Sequence, residues 1–220
     1  MASSLRPEFG PTLPELLAPR WRGLGVVPRR ALVVAALAVA ALAALALRAA
    51  VGGDQEFVHR QAPTFNLRYP DALKRLAPRP GDYLRLESTR NGLFLQSFAV
   101  RQLHLPAYRG APDGEFPFFA ESYIASLARQ LKGFQRACDG CGEGKARINE
   151  VPGYSINFQA KLGNRTLYGR DVMLVNGGPG TRDGVILEMR ATPAAKVAGP
   201  ETVGSGGVLK LPLRSFRFGT

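Results

Sequence analysis

The chain has 220 residues, with 29 Lys+Arg against 17 Asp+Glu and a formal charge of +12. At 45% apolar and 21% charged residues it has the composition of a folded protein, and wholesale disorder is excluded. Two cysteines rule out a disulfide-dense scaffold, and no collagen, heptad or solenoid period is visible. Six cations are Lys and 23 are Arg, scattered without interleaved stacking aromatics, which argues against a nucleic-acid partner. Ala, Gly, Pro and Arg are abundant together, as GC-rich coding produces. The excess charge suits anionic lipid or an acidic envelope polymer better.

Residues 1–30 are rich in proline and arginine and hold the only tryptophan, Trp21. They read as a basic, disordered cytoplasmic arm. Ala31 to Leu47 follows, 17 residues without a polar side chain. Extended to Val51, the run reaches about 31 Å as a helix, enough to span a hydrocarbon core of ~30 Å. A transmembrane helix over 31–51 is therefore expected, with Arg48 snorkelling to the interface. Arg20, Arg22, Arg29 and Arg30 precede it, while Arg48 and Arg60 follow near Asp54 and Glu56. The positive-inside rule then places the N-terminus in the cytoplasm and the rest outside. Ala44-Leu45-Ala46 fits a signal-peptidase site, but the long stretch before it argues for an uncleaved anchor. Ala36, Ala40 and Ala44 form a small-residue stripe that would let two spans pack as a homodimer.

Residues 52–63 read as a linker and 64–220 as one extracytoplasmic domain. Phe65, Leu67 and Tyr69 alternate with polar residues and predict a short strand ended by Pro70. Asp71 can cap a short helix from Ala72 to Ala77. Tyr83 to Thr89 and Leu93 to Leu103 flank Asn91-Gly92, the strongest short hairpin signal. After a Pro/Gly-rich loop (105–114), Phe116, Phe119, Tyr123, Leu127, Leu131 and Phe134 recur every three or four residues and predict a long helix. Tyr154 to Leu162 alternates, with Ser155, Asn157, Gln159 and Lys161 on a wet face. Leu167 to Val175 and Val185 to Ala191 complete a meander. A Gly/Pro/Ala-rich loop precedes a closing stretch, Val208 to Phe218. The expected class is α+β: a mainly antiparallel sheet of about six strands covered by helices.

The Phe65-Asn66-Leu67-Arg68-Tyr69-Pro70 strand, the Val151-Pro152-Gly153-Tyr154-Ser155-Ile156-Asn157-Phe158 segment and the final Ser215-Phe216-Arg217-Phe218 carry a resemblance. In this order, around a hairpin and a long helix, they resemble the PsbP-like superfamily over roughly residues 55–220. The resemblance implies an α/β/α sandwich and a bacterial, membrane-anchored member. It also implies a non-enzymatic binding or accessory role.

Chemistry could centre on Cys138-Asp139-Gly140-Cys141. The pair admits a local disulfide, a redox couple or half a zinc site. It follows a helix instead of opening one, so the helix dipole disfavours a reactive thiolate. Zinc needs four ligands, and the two histidines, His59 and His104, lie far away in sequence. An oxidising compartment favours the disulfide. No nucleophile or metalloprotease motif is present, and Glu121, Glu150, Asp171 and Glu188 are spread over different elements. Asn176-Gly177-Gly178-Pro179-Gly180 lacks the residues of a phosphate loop and joins two strands. The expectation is a single-pass membrane protein with a non-catalytic binding domain and no cofactor. Its partners would be the bilayer and an envelope protein or acidic polymer. Ser155, Asn157, Gln159 and Lys161, with loops 105–114 and 176–183, are its candidate surface. The alternative is an envelope enzyme or thiol-redox protein using Cys138 and Cys141.

Overall fold

The computed structural model describes residues 31, 33–43, 53–137 and 142–219. The chain divides into two compact units, Met1–Val51 and Gly52–Thr220. In the first, Ala31 and residues 33–43 are helical and exposed. No helix among the described residues is long and apolar enough to cross a membrane. Most of the flanks of the expected span, including Arg29, Arg30, Leu47 and Arg48, lie outside the described residues, as do the arm and Cys138 and Cys141.

The second unit is α+β. Its strands are β1 (Asp54–His59), β2 (Phe65–Pro70), β3 (Lys74–Arg75), β4 (Asp82–Arg90), β5 (Leu93–His104), β6 (Gln135–Arg136), β7 (Glu143–Ile148), β8 (Val151–Leu162), β9 (Arg165–Leu174), β10 (Asp183–Ala191) and β11 (Arg217–Phe218). Two α-helices, α1 (Pro112–Gln130) and α2 (Lys210–Ser215), complete it with three short 3-10 turns. The large sheet has eight strands in the order β3-β4-β5-β10-β9-β8-β6, with β7 also pairing with β8. A separate three-stranded sheet runs β1-β2-β11. All pairings are antiparallel.

The large sheet is covered on both faces, because its strands alternate apolar residues toward each side. On one face Leu84, Leu86, Phe98, Val100, Val172, Leu187 and Met189 pack with Phe65, Leu67 and Tyr69 of β2 and with Leu213 of α2. On the other, Ile156, Phe158, Met173 and Ile186 pack beneath Phe116, Ala120, Ile124 and Leu127 of α1. Helix α1 buries residues at four- and three-residue steps, the period of one helical face.

The meander β8–β9–β10 and the β4–β5 hairpin are present as expected. Asn91 and Gly92 both have positive φ (52° and 74°), the geometry their dipeptide favours. Several boundaries differ. The sheets hold more than six strands, because β3 and β6 are two-residue edge pieces too short to show a period. The segment read as a linker contains β1, paired with β2 from Asp54 to His59. Ala72 to Ala77 is not helical: a single turn of helix is costly to nucleate, and Lys74 and Arg75 instead pair with Glu87 and Leu86. Helix α1 starts earlier, at Pro112, and ends before Leu131 and Phe134, which still pack against its core. Val151-Pro152-Gly153 lies within β8, and the turn before it is Asn149-Glu150, both at positive φ. The closing stretch is mostly α2, with only Arg217 and Phe218 extended. Where the resemblance implied a second helical layer, a small sheet and one short helix cover that face.

Candidate functional site

Helix α1 lies over the β8–β9–β10 side of the sheet and leaves part of β4 and β5 open. On that face the middle of β5 carries two small side chains, Ser97 and Ala99, before Arg101, so the surface sinks into a cleft of ≈ 560 Å³. Phe94, Leu127, Leu131, Leu162 and Leu167 supply apolar walls. Arg79, Arg85, Arg101 and Arg190 meet Asp82, Glu87 and Glu188 there.

These charges are organised by β-register. Asp171 of β9 and Glu188 of β10 are direct cross-strand partners. Two carboxylates so placed would repel, but arginines sit between them. Arg190 forms an ion pair with Asp171 through Nη1, and its Nη2 is 3.1 Å from the second Asp171 oxygen. Arg101 donates to Glu188 at 2.9 Å and lies 3.2 Å from Asp82. The Tyr123 hydroxyl of α1 is 3.0 Å from Asp171 and 3.2 Å from Glu188. Arg85 pairs with Glu87 at 3.2 Å.

A glycine makes room for this arrangement. A Cβ at Gly169 would lie 2.2 Å from the Phe158 ring. Without it, the ring of Phe158, paired with Gly169 across the β8–β9 ladder, lies against the backbone. The Arg190 guanidinium then rests over that ring at 4.8 Å, which orients it toward Asp171.

Burial pushes the Asp171 carboxyl up to about 6, against the pull of Arg190. Burial also disfavours the charge on Glu188, but Arg190 and Arg101 overcome it and hold that carboxyl below its ordinary value. Burial, together with Asp171 and Glu188, pushes the Tyr123 phenol well above its usual value. Burial works against the Arg190 cation too, yet Asp171 and Glu188 keep it firmly protonated.

Asp171 has no exposed surface, so it cannot reach a molecule in the cleft. Glu188 lines the cleft but stays ionised and doubly paired, a poor proton donor. The arrangement can anchor a ligand through arginine donors and apolar walls. It presents no activated nucleophile.

The expected surface on β8 is only partly a surface. Ser155 is buried, Asn157 and Gln159 are half-buried, and Lys161 is exposed. These residues point away from α1, on the opposite side of the sheet from the cleft. Loop 105–114 and loop 176–183 do not line the cleft either. The Asp171–Glu188–Arg190 cluster joins two acids that stand on separate strands, β9 and β10. The available signal was a charged residue on the alternate positions of two otherwise apolar strands.

No family model matches the sequence, and no curated protein matches it. Solved structures do. LpqN of Mycobacterium tuberculosis, described as involved in cell envelope biogenesis, superposes with a TM-score of 0.51 at 14% identity, over 77% of this chain and 93% of that one. The expected fold is found. The domain has a PsbP-like fold. The Ran-binding protein Mog1p of Saccharomyces cerevisiae (TM-score 0.48, 8% identity, 76% and 96% coverage) is also among the matches. So is cyanobacterial PsbP of Synechocystis sp. PCC 6803 (0.46, 12%, 77% and 94%). At these identities the likeness of the PsbP-like domain to LpqN is one of fold, and fold alone does not assign a role.

Proposed function

We propose that the protein is a non-catalytic binding or accessory domain, held on the outer side of a cell membrane by its N-terminal segment. The domain engages its partner through the β4–β5–β10 cleft. The observation that carries this reading is the state of the cleft's acids. Asp82 and Glu188 are paired to Arg101, Glu87 is paired to Arg85, and Asp171 is sealed behind them. The groups a hydrolase would need free are committed to the fold, while apolar walls and arginine donors remain for recognition.

The envelope setting rests on two supports. One is the apolar run from Ala31 with arginines before it. The other is the likeness of fold to LpqN, whose description places it in cell envelope biogenesis. Location is tested by replacing Leu93, 58% exposed at the hairpin tip, with Cys in a chain whose Cys138 and Cys141 are Ser. A membrane-impermeant thiol reagent should label Leu93→Cys in intact cells. Labelling only after lysis would place the domain inside.

A further inference from the structure

Arg170 and Arg190 are both partly buried, and they differ in one respect. Arg190 faces two carboxylates. Arg170, on β9 and pointing to the opposite face, has none among the described residues: its Nε contacts the Ser155 hydroxyl at 3.2 Å and its Nη1 the Val203 carbonyl at 3.4 Å. The pairing register explains why. Arg170 stands between Asn157 and Met189, and the residues that β8, β9 and β10 direct to this face include one acid, Asp183. Asp183 sits at the far end of β10 and bonds His104 at 2.6 Å. Burial without a counter-charge lowers the Arg170 pKa.

Two cavities meet at this guanidinium. One of ≈ 260 Å³ is lined by residues of β7 from Glu143 to Arg147 with Ser155, Asn157 and Arg170. The other, of ≈ 470 Å³, is lined by Arg147, Asn149, Arg170, Gly204, Ser205 and Arg214. Arg147 and Arg170 are common to both. Glu143 is engaged by Arg136 at 3.4 Å and Glu150 by Arg147 at 3.1 Å, so neither neutralises Arg170. An uncompensated guanidinium held away from water is costly. Here it opens onto space lined by Arg214, by Arg147 with its Glu150 partner, and by the Ser155 hydroxyl.

We infer that the groove at Arg170, bounded by Arg147, Arg214, Ser155 and Ser205, is a binding site for a phosphate-type oxyanion. Phosphate suits the donor set because a guanidinium fork presents two parallel N–H groups to its oxygens. The remaining oxygens face Arg214 and the Ser155 hydroxyl, whose proton is free because it accepts from Arg170. The site lies on the other side of the sheet from the cleft and does not depend on it.

The test uses the full chain in a neutral detergent and measures binding by titration calorimetry. The probes are inorganic phosphate, dihexanoyl phosphatidylglycerol and dihexanoyl phosphatidylcholine below their micellar concentrations, at constant ionic strength. Binding of phosphate and of phosphatidylglycerol identifies a general phosphate site, and binding of phosphatidylglycerol alone identifies a lipid headgroup site. In both cases Arg170→Met should weaken affinity about tenfold or more, since it removes charge-assisted hydrogen bonds. Arg214→Gln should weaken it by a smaller factor. Arg170→Met also removes the hydrogen bonds to Ser155 and to the Val203 carbonyl, so its ligand-free melting temperature is measured alongside and binding is compared only below it, which keeps lost binding distinct from lost fold. Should Arg170→Met unfold, Arg214→Gln on the surface carries the test alone. No binding by any probe overturns the site. So does affinity unchanged in both variants, whereas equal affinity for phosphatidylcholine would show that the phosphodiester they share, not the glycerol headgroup, is recognised.

Discussion

Gly169 shows how one missing side chain sets the geometry around it. Phe158 occupies the space where a Cβ would stand, and Arg190 rests on Phe158. Gly169→Ala should therefore destabilise the domain by about 1–3 kcal/mol, the usual range for overpacking. Trimming the ring in Gly169→Ala/Phe158→Leu should recover part of that loss. Denaturant melts of the single and double variants check this, and purely additive losses would contradict it. Asp171 gives a prediction in pH. Its carboxyl is raised from 3.8 to about 6 by burial. A raised acid holds its proton more tightly in the folded state than in the unfolded one, so its contribution to stability falls as pH rises through that window. The stability of the parent relative to Asp171→Asn should thus decline between 3.8 and about 6 and level off above it. A difference independent of pH would show that Asp171 stays ionised throughout. Glu188, whose carboxyl is lowered, acts oppositely: its contribution is lost as pH falls through its folded pKa.

The pairing of β9 with β10 brings Asp171, Glu188 and Arg190 into one cluster. Breaking one side of a buried ion pair leaves an unpaired charge and costs roughly 3–5 kcal/mol, whereas replacing both sides with apolar groups can be nearly neutral. Arg190→Met and Asp171→Leu should each fall near that cost, with Glu188 softening the second. The double variant should be more stable than the sum of the two predicts. Additivity in this cycle would mean that the groups do not interact. This cluster was not legible in the sequence, because Asp171 and Arg190 meet only once the register of two strands is fixed. What was legible had strong local chemistry. Asn91-Gly92 dictates its turn, the alternation of β8 to β10 dictates a meander, and the spacing from Phe116 to Leu127 dictates a helix. The edge pieces β3 and β6 have no period to read. β1 buries only Phe57, and β7 alternates too weakly to stand out from a polar loop. The face of β8 expected to be wet is so only in part, for a related reason: β2, α2 and the 3-10 turns cover much of that side of the sheet, and β2 and α2 reach it from the two ends of the domain.

At the scale of the molecule, one sheet offers two unlike faces. Beside α1 lies a cleft whose acids and arginines neutralise one another. On the opposite face lies a groove where an arginine is left without an acid among the described residues. A domain built this way can hold an anion on one side and a partner on the other. The account turns on the cleft being the partner-binding face. The most direct measurement places a photocrosslinking amino acid at Ser97 in the cleft floor, and separately at Phe118, 77% exposed on α1, in the full chain in living cells. A discrete adduct from position 97 that is absent from position 118 is the predicted result. Adducts of equal yield from both positions, or none from position 97, would contradict the assignment of the cleft.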